Sequence, residues 1–600
     1  MKQEKVKARS QMDPAYLWNL EDMVPGTEAW EADFAQLKAG LPQIAAYEGR
    51  LGEGAATLAD ALDLRSRLSL AAERLYVYAR MHRDEDNGVA QYQAMADRAY
   101  ALLVELEAAA SYFTPQVLAL GGETVGQWLA QEPRLATYRQ YFAQVLHMQG
   151  HILSPEQERL LAMCGEVLSG PDTIHTMLQD ADMQFAPAVL EDGRTIEISS
   201  GRFIPLMESA DRQVREKVFK SYYGSYTALK NTLAATLTAS VKGDVFSARA
   251  RGFSSSLEAS LYGDNVPVAV YDALIEAIHD ALPSMYRYMA LRKRALGVDE
   301  LHMYDLYTPI VTEGNMPMGY DEAKAAVVEA LAPLGEAYTG ALAQGLESRW
   351  VDVYENKGKA SGAYSWGCWG VHPYVLMNYA GTVDSAFTLA HELGHAMHSF
   401  YSNRCQDYNN ASYPMLLAEV ASTCNEALFM QHLLGKTQDK AERKFLINYF
   451  LEQFRTTVFR QVMFAEFEAI IHRRQEQGEA LTCEAYQAIY RSLNERYYGP
   501  DMVVDEEITM EWARIPHFYE AFYVYKYATG FATAIALSQL VLSGPEGRDR
   551  YLAFLSSGGS RFPLDILKDA GIDLTRPETV AGALKLFDSL VSEMEALMKA

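Results

Sequence analysis

Apolar residues recur every three or four positions through most of this chain, the period of a helix with one face turned to a core. The run "NGVAQYQAMADRAYALLVELEAAASYF" (87–113) keeps that period and is predicted to stop at Thr114-Pro115, because proline disfavours helical backbone just before it. The same pattern predicts helices over 155–168, 211–248, 265–296, 321–345, 438–475 and 578–598. No fixed-period repeat or low-complexity tract interrupts it, which disfavours a solenoid. The pattern breaks twice. Residues 185–209 carry Asp192-Gly193 between short β-prone runs, the mark of a hairpin, and a domain boundary is expected near residue 200. Residues 349–382 are rich in Gly, Tyr, Trp and Val and read as a small sheet with a glycine-rich loop at 357–370.

Composition narrows the class. At 600 residues, with 49% hydrophobic and 22% charged positions, the chain reads as a folded soluble protein of two or more domains or one large helical body. Its best apolar run, "FATAIALSQLVL" (531–542), is too short for a membrane span and is predicted to be a buried helix. The N-terminal "MKQEKVKARSQMDPAY" lacks the apolar stretch of a secretion signal, so a cytoplasmic location without membrane association is expected. Five cysteines, with no CxxC pair, argue against a disulfide framework and an all-cysteine metal site. A net charge of −25 confers solubility and argues against nucleic acid as a partner.

Candidate chemistry concentrates in "AFTLAHELGHAMHSFYS" (386–402). At about 100° per residue, His395 lies about 40° round a helix from His391. Leu389, Leu393, Met397 and Phe400 fall on the opposite side, and Gly394 leaves room for close backbone approach. Two histidines four apart can share one zinc ion at about 2.0–2.1 Å. Glu392 points roughly 100° away, too far round to be a ligand but able to take a proton from a water in the metal's open position. His398 is also near this face, but it lies about 10 Å along the axis from His391 and is given a supporting role.

Catalytic zinc usually keeps three protein ligands, so a third is expected on a following helix. "SYPMLLAEVASTCNEALFM" (412–430) fits, with Ser412 as a cap and Pro414 in the first turn. Glu419 is the carboxylate inside its apolar front half and is assigned as the third ligand. Glu426, seven residues on, returns to the same face and is assigned to orient a ligand histidine. Farther along, "WARIPHFYEAFYVYKYATGFATA" (512–534) holds His517 and tyrosines 519, 523, 525 and 527. Tyr519, Tyr523 and Tyr527 would line one helical face. Neutral donors of this kind suit the oxyanion of amide hydrolysis, although aromatic core packing explains them equally well.

The combination of "AHELGHAMHS" with "LLAEVASTCNE" resembles the thimet-oligopeptidase-like zinc metallopeptidases, most closely their oligoendopeptidase F branch. The segments 256–278, 301–309, 362–379 and 512–530 are similar to that branch too. The likeness spans about residues 200 to 590, and the first 200 resemble the family's helical N-terminal region. The resemblance implies a mainly α fold: a large multi-helix body enclosing a deep substrate channel, with a small β-sheet near the HExxH helix. It implies an N-terminal helical region over 1–200 and a catalytic domain over 201–600. Zinc ligands fall on His391, His395 and Glu419, and the general base on Glu392. The family's transition-state histidine and tyrosine fall on His517 and Tyr523, with Tyr525 and Tyr527 as alternatives for the tyrosine. "HPYVLMNY" (372–379) resembles the edge strand that pairs with substrate backbone. The one departure is "WGCW" (367–370), which places Cys368 in a loop expected to approach the active site.

The expected protein is therefore an endopeptidase with one Zn2+ that cleaves short oligopeptides rather than folded proteins. Two other readings fit the same residues: a catalytically silent peptide-binding protein that keeps the metal site, and a zinc hydrolase of non-peptide amides or esters. Oligomeric state is left open by the sequence.

Overall fold

The periodic segments form helices wherever their apolar positions can be buried. The structure is a computed structural model describing residues 6–312 and 316–599. The first five residues of the N-terminal basic run lie outside it. Short sheets add little to the helices, and the described residues contain no helix long and apolar enough to cross a membrane. The chain divides into two compact units, one of residues 1–149, 316–436 and 534–572, the other of residues 150–315, 437–533 and 573–600. The division that the resemblance implies falls at residue 200, whereas each compact unit is built of three separate segments whose ends fall at other residues.

The first unit opens with helices Thr27–Ala45, Ala55–Glu85, Ala90–Ala109 and Phe113–Gln131. Trp30 is fully buried among them and its indole N–H donates to the Leu75 carbonyl at 2.8 Å. The predicted stop at Thr114-Pro115 is corrected: the helix ends earlier, at Ala109, and Pro115 lies in the first turn of the next one. Proline is tolerated there because a first-turn N–H has no helical partner.

A three-stranded sheet follows, made of 351–352, 364–366 and 374–376. The strand 374–376 pairs parallel with 351–352 and antiparallel with 364–366. The expectation that "HPYVLMNY" supplies an edge strand is thereby corrected, since it is central; 364–366 is an edge and lies within the predicted glycine-rich loop. Under the sheet, Lys359 Nζ lies 2.7 Å from Asp352 with both side chains fully buried, and it also donates to the carbonyls of Asp352, Tyr354 and Met377. Full hydrogen bonding is what allows a lysine to sit there. The helix Val383–Cys405 packs on this sheet and against Met415–Lys436.

In the second unit, the predicted hairpin forms with Ala188 opposite Ile196, and Gly193 supplies its positive φ of 84°. The segment predicted as one helix over 211–248 is two, Arg212–Ala228 and Lys230–Ala250, broken at Leu229. In the first unit, 321–345 also splits, into Tyr320–Ala330 and Glu336–Glu347, around Pro333 and Gly335. Lys440–Gln453 runs through π-helical turns at Phe454–Phe459 into Arg460–Glu476. The helices Val268–Leu296 and Pro577–Lys599 match their predicted spans within three residues and pack together.

Candidate metal centre and its surroundings

Thr382 starts the histidine helix, Val383–Cys405, in extended backbone, with its hydroxyl accepting the Ser385 N–H. Leu389, Leu393, Ala396 and Met397 bury one side, and His391 and His395 stand half-buried on the other. The glutamate helix, Met415–Lys436, buries Leu416, Leu417, Val420 and Cys424 and places Glu419 half-buried. Ser412 does not cap it: Ser412 lies upstream in extended backbone, and the Pro414 carbonyl takes the first bond, from Leu417 N–H.

Gly394 brings the two helices together. A Cβ on it would stand 2.5 Å from Ser422 Cα and 2.6 Å from the Ala421 carbonyl oxygen, distances no side chain tolerates. Asn425, fully buried in the interface, donates to the Ala390 carbonyl at 3.2 Å and accepts from Tyr338. At this separation His391, His395 and Glu419 converge. His391 Nε2 and His395 Nε2 are 3.2 Å apart, and each lies close to Glu419 Oε2, at 3.4 and 3.5 Å. Zinc holding its ligands tetrahedrally at about 2.0–2.1 Å separates neighbouring donor atoms by about 3.3–3.4 Å, so this triangle has the size of one zinc face. Two imidazoles and a carboxylate are also a donor set that suits zinc.

The surroundings fix the donors. His391 Nδ1 lies 2.5 Å from Glu426 Oε1, which leaves the Nε2 lone pair directed into the triangle. Ser422 Oγ donates to Glu419 Oε2 at 3.1 Å and so sets the carboxylate's rotation. Burial works to lower His391, but hydrogen bonds to Glu419 and Glu426 outweigh it and push the imidazole up to about 10. Burial opposes the Glu419 carboxylate too, and the two histidines hold it well below the usual range. The electrostatics that favour a proton here favour a divalent cation equally. Glu392 is buried beside the ligands, and burial pushes its carboxyl up against the opposing pull of His391 and His395. A carboxylate raised in this way is a stronger proton acceptor than an exposed one.

His398 belongs to the core. It stacks on Tyr413 at 3.7 Å between ring centroids, and burial lowers it to about 3. Cys368 is buried, and its burial pushes the thiol up to about 11, which leaves it an inert packing residue.

His517 and the tyrosines lie in the second unit. His517 is in the short turn Pro516–Tyr519, and the helix after it starts only at Tyr525, so the three tyrosines spaced by four do not share a helical face. Tyr519 stacks on His175 and Tyr525 is buried against Tyr271. Tyr527 OH lies 3.2 Å from His517 Nε2, and Tyr523 is parallel to the imidazole at 6.0 Å. Burial lowers His517, which favours its neutral form. The structure thus groups His517 with Tyr523 and Tyr527, and Tyr525 lies apart from them. Sequence reasoning did not single out Asn425 or Ser422. A polar residue at a buried position of an apolar helix, such as Asn425 before Glu426, was the available signal.

Comparison with known proteins gives the family. The model for "Peptidase family M3" matches residues 205–586, and that for "Oligopeptidase F" matches residues 116–185. Oligopeptidase PepF of Bacillus subtilis (strain 168) is 43% identical over 591 residues, covering 98% of this chain and 88% of that protein. The crystal structure of oligoendopeptidase-F from Enterococcus faecium superposes with a TM-score of 0.74 at 36% identity, covering 95% of this chain and 99% of that one. A crystal structure from Chlamydophila abortus gives a TM-score of 0.93 at 33% identity over 99% of this chain and all of that one.

Proposed function

The chain belongs to peptidase family M3, and on that premise we propose how this metallo-oligopeptidase works: it cleaves internal bonds of short oligopeptides with one Zn2+ held by His391, His395 and Glu419. The observation that carries this is the donor triangle, whose edges of 3.2, 3.4 and 3.5 Å match a tetrahedral zinc face. When bound, the metal lowers the pKa of water and polarises the scissile carbonyl. Glu392 takes the proton of the attacking water and returns it to the departing amine nitrogen. Glu426 keeps the proton of His391 on Nδ1, so that Nε2 remains a donor. His517, with Tyr523 or its hydrogen-bonded neighbour Tyr527, stabilises the oxyanion as neutral donors. In this reading 201–600 carries the chemistry and 1–200 is accessory. Five cysteines without a disulfide suit the reducing cytoplasm we assign to it.

The sheet supports loose side-chain demands on the substrate. Val375 N–H donates to the Trp350 carbonyl at 2.9 Å, towards strand 351–352. Its antiparallel partner Ser365 therefore turns its own N–H and C=O away from the sheet, to the open edge of 364–366. A peptide laid there would be held through its backbone. The strand that does so is then 364–366 rather than 374–376.

The test is Glu392→Gln assayed with internally quenched peptides of increasing length. The variant keeps about one zinc per chain and loses roughly 100- to 10,000-fold in kcat. Wild-type rates in the variant, or wild-type products from chain ends only, would sink the reading.

A further inference from the structure

Two arginines in the second unit share one carboxylate. Arg460 Nη2 and Arg514 Nη2 each lie 2.7 Å from the same oxygen, Oε1, of Glu511. Tyr490 donates to the other oxygen at 2.6 Å, and Arg514 Nε lies 3.2 Å from the Tyr223 hydroxyl. Glu511 is buried, and the Tyr223 hydroxyl adds a further contact to Oε1 at 3.5 Å. It is also the acidic group among those that bear most strongly on either guanidinium, the others being phenols and the second arginine. The cluster therefore carries one positive charge more than it neutralises. It does so in a chain whose net charge is −25.

Both arginines are mostly buried but not sealed off. Both arginine side chains keep 16% of their surface exposed, while Phe203 lies under one guanidinium and Phe464 under the other. Aromatic floors of this kind hold a guanidinium's plane and leave its remaining N–H edge for an anion. Arg460 follows the π-helical turns Phe454–Phe459, an irregularity that recurs at functional sites because it redirects the residues after it. Arg514 stands three residues before His517, and Arg460 is near enough for its charge to depress that imidazole.

We propose that Arg460 and Arg514 form an anion site that binds a carboxylate of the peptide beside His517. This rests on the oligopeptidase reading and adds an anchor to it. A planar carboxylate matches the guanidinium fork, and one surplus positive charge matches one carboxylate. Its source is either the peptide's C-terminus or an acidic side chain.

The experiment measures fluorescence anisotropy with the full chain carrying Glu392→Gln, so that binding is read without turnover. Three labelled peptides of one sequence are compared: free acid, C-terminal amide, and free acid with its single Glu replaced by Gln. The free acid is expected to bind about tenfold tighter than whichever peptide lacks the anchoring carboxylate. Adding Arg460→Ala should bring that ratio to about one, and Arg460→Lys should restore part of it. Arg460→Ala leaves Glu511 paired with Arg514 and Tyr490, so no buried carboxylate is left without a partner. Equal binding of all three peptides, no binding of any, or an unchanged ratio in Arg460→Ala would each overturn the site. Failure of the peptidase reading shows separately, as absent cleavage by the chain with Glu392 intact.

Discussion

Ser422 Cα occupies the place that a side chain on Gly394 would need, at 2.5 Å from its ideal Cβ. That contact sets the spacing of the histidine and glutamate helices, and so the size of the donor triangle. Gly394→Ala has backbone, not a flexible side chain, to push against. The helices must part or shift, which for overpacking costs about 1–3 kcal/mol and enlarges the triangle. The expected result is a lower melting temperature and less than stoichiometric zinc after dialysis. Full zinc occupancy with an unchanged melting temperature would show that the helices have room to spare.

The 2.5 Å contact between His391 Nδ1 and Glu426 Oε1 gives a second test. Removing an outer partner of a ligand histidine typically weakens metal binding about 10- to 100-fold. Glu426→Ala is expected to fall in that range by competition with a chelator, and Glu426→Gln to fall less, since its amide oxygen can still accept the Nδ1 proton. Equal affinity across wild type and both variants would deny Glu426 this role.

The convergence of His391, His395 and Glu419 was legible in the sequence because helical periodicity is local and the apolar front half of the second helix fixed its facing side. Gly394 was legible for the same reason. Sheet order was not, because pairing 374–376 between two partners joins residues far apart in sequence, and no local pattern marks a central strand of three residues. The break at Leu229 carries no glycine or proline to announce it. The Ala55–Glu85 helix lies outside the predicted segments because its buried residues spread around much of its circumference instead of forming one stripe. Tyr527 was available only as an alternative to Tyr523, since its link to His517 depends on where the helix begins.

That link separates the two tyrosines. Losing one oxyanion donor typically costs about 100- to 1,000-fold in kcat. If the hydrogen bond to His517 marks the working phenol, Tyr527→Phe should show a loss of that order with little change in KM, and Tyr523→Phe a smaller one. Steady-state kinetics on one quenched peptide decides it. The reverse order would return the assignment to Tyr523.

Glu468 offers a pH-dependent test in the second unit. It is fully buried, Oε1 accepts the Phe522 N–H at 2.9 Å, and Oε2 has no partner among the described residues. Phe522 holds a positive φ of 61°, which the backbone bond to Glu468 helps to keep. Burial raises this carboxyl well above its ordinary 4.5, with the Phe522 N–H pulling the other way. The folded state therefore binds a proton that the unfolded state has released. The contribution is complete below about pH 4.5 and is lost as pH rises towards the elevated folded value, at roughly 1.4 kcal/mol per pH unit in between. Glutamine keeps the acceptor oxygen and cannot ionise. Glu468→Gln should thus match wild type in melting temperature near pH 4.5 and gain on it steadily as pH rises. Calorimetry across that range checks the sign, and a difference that shrinks with rising pH would mean the carboxyl is ionised in the folded protein.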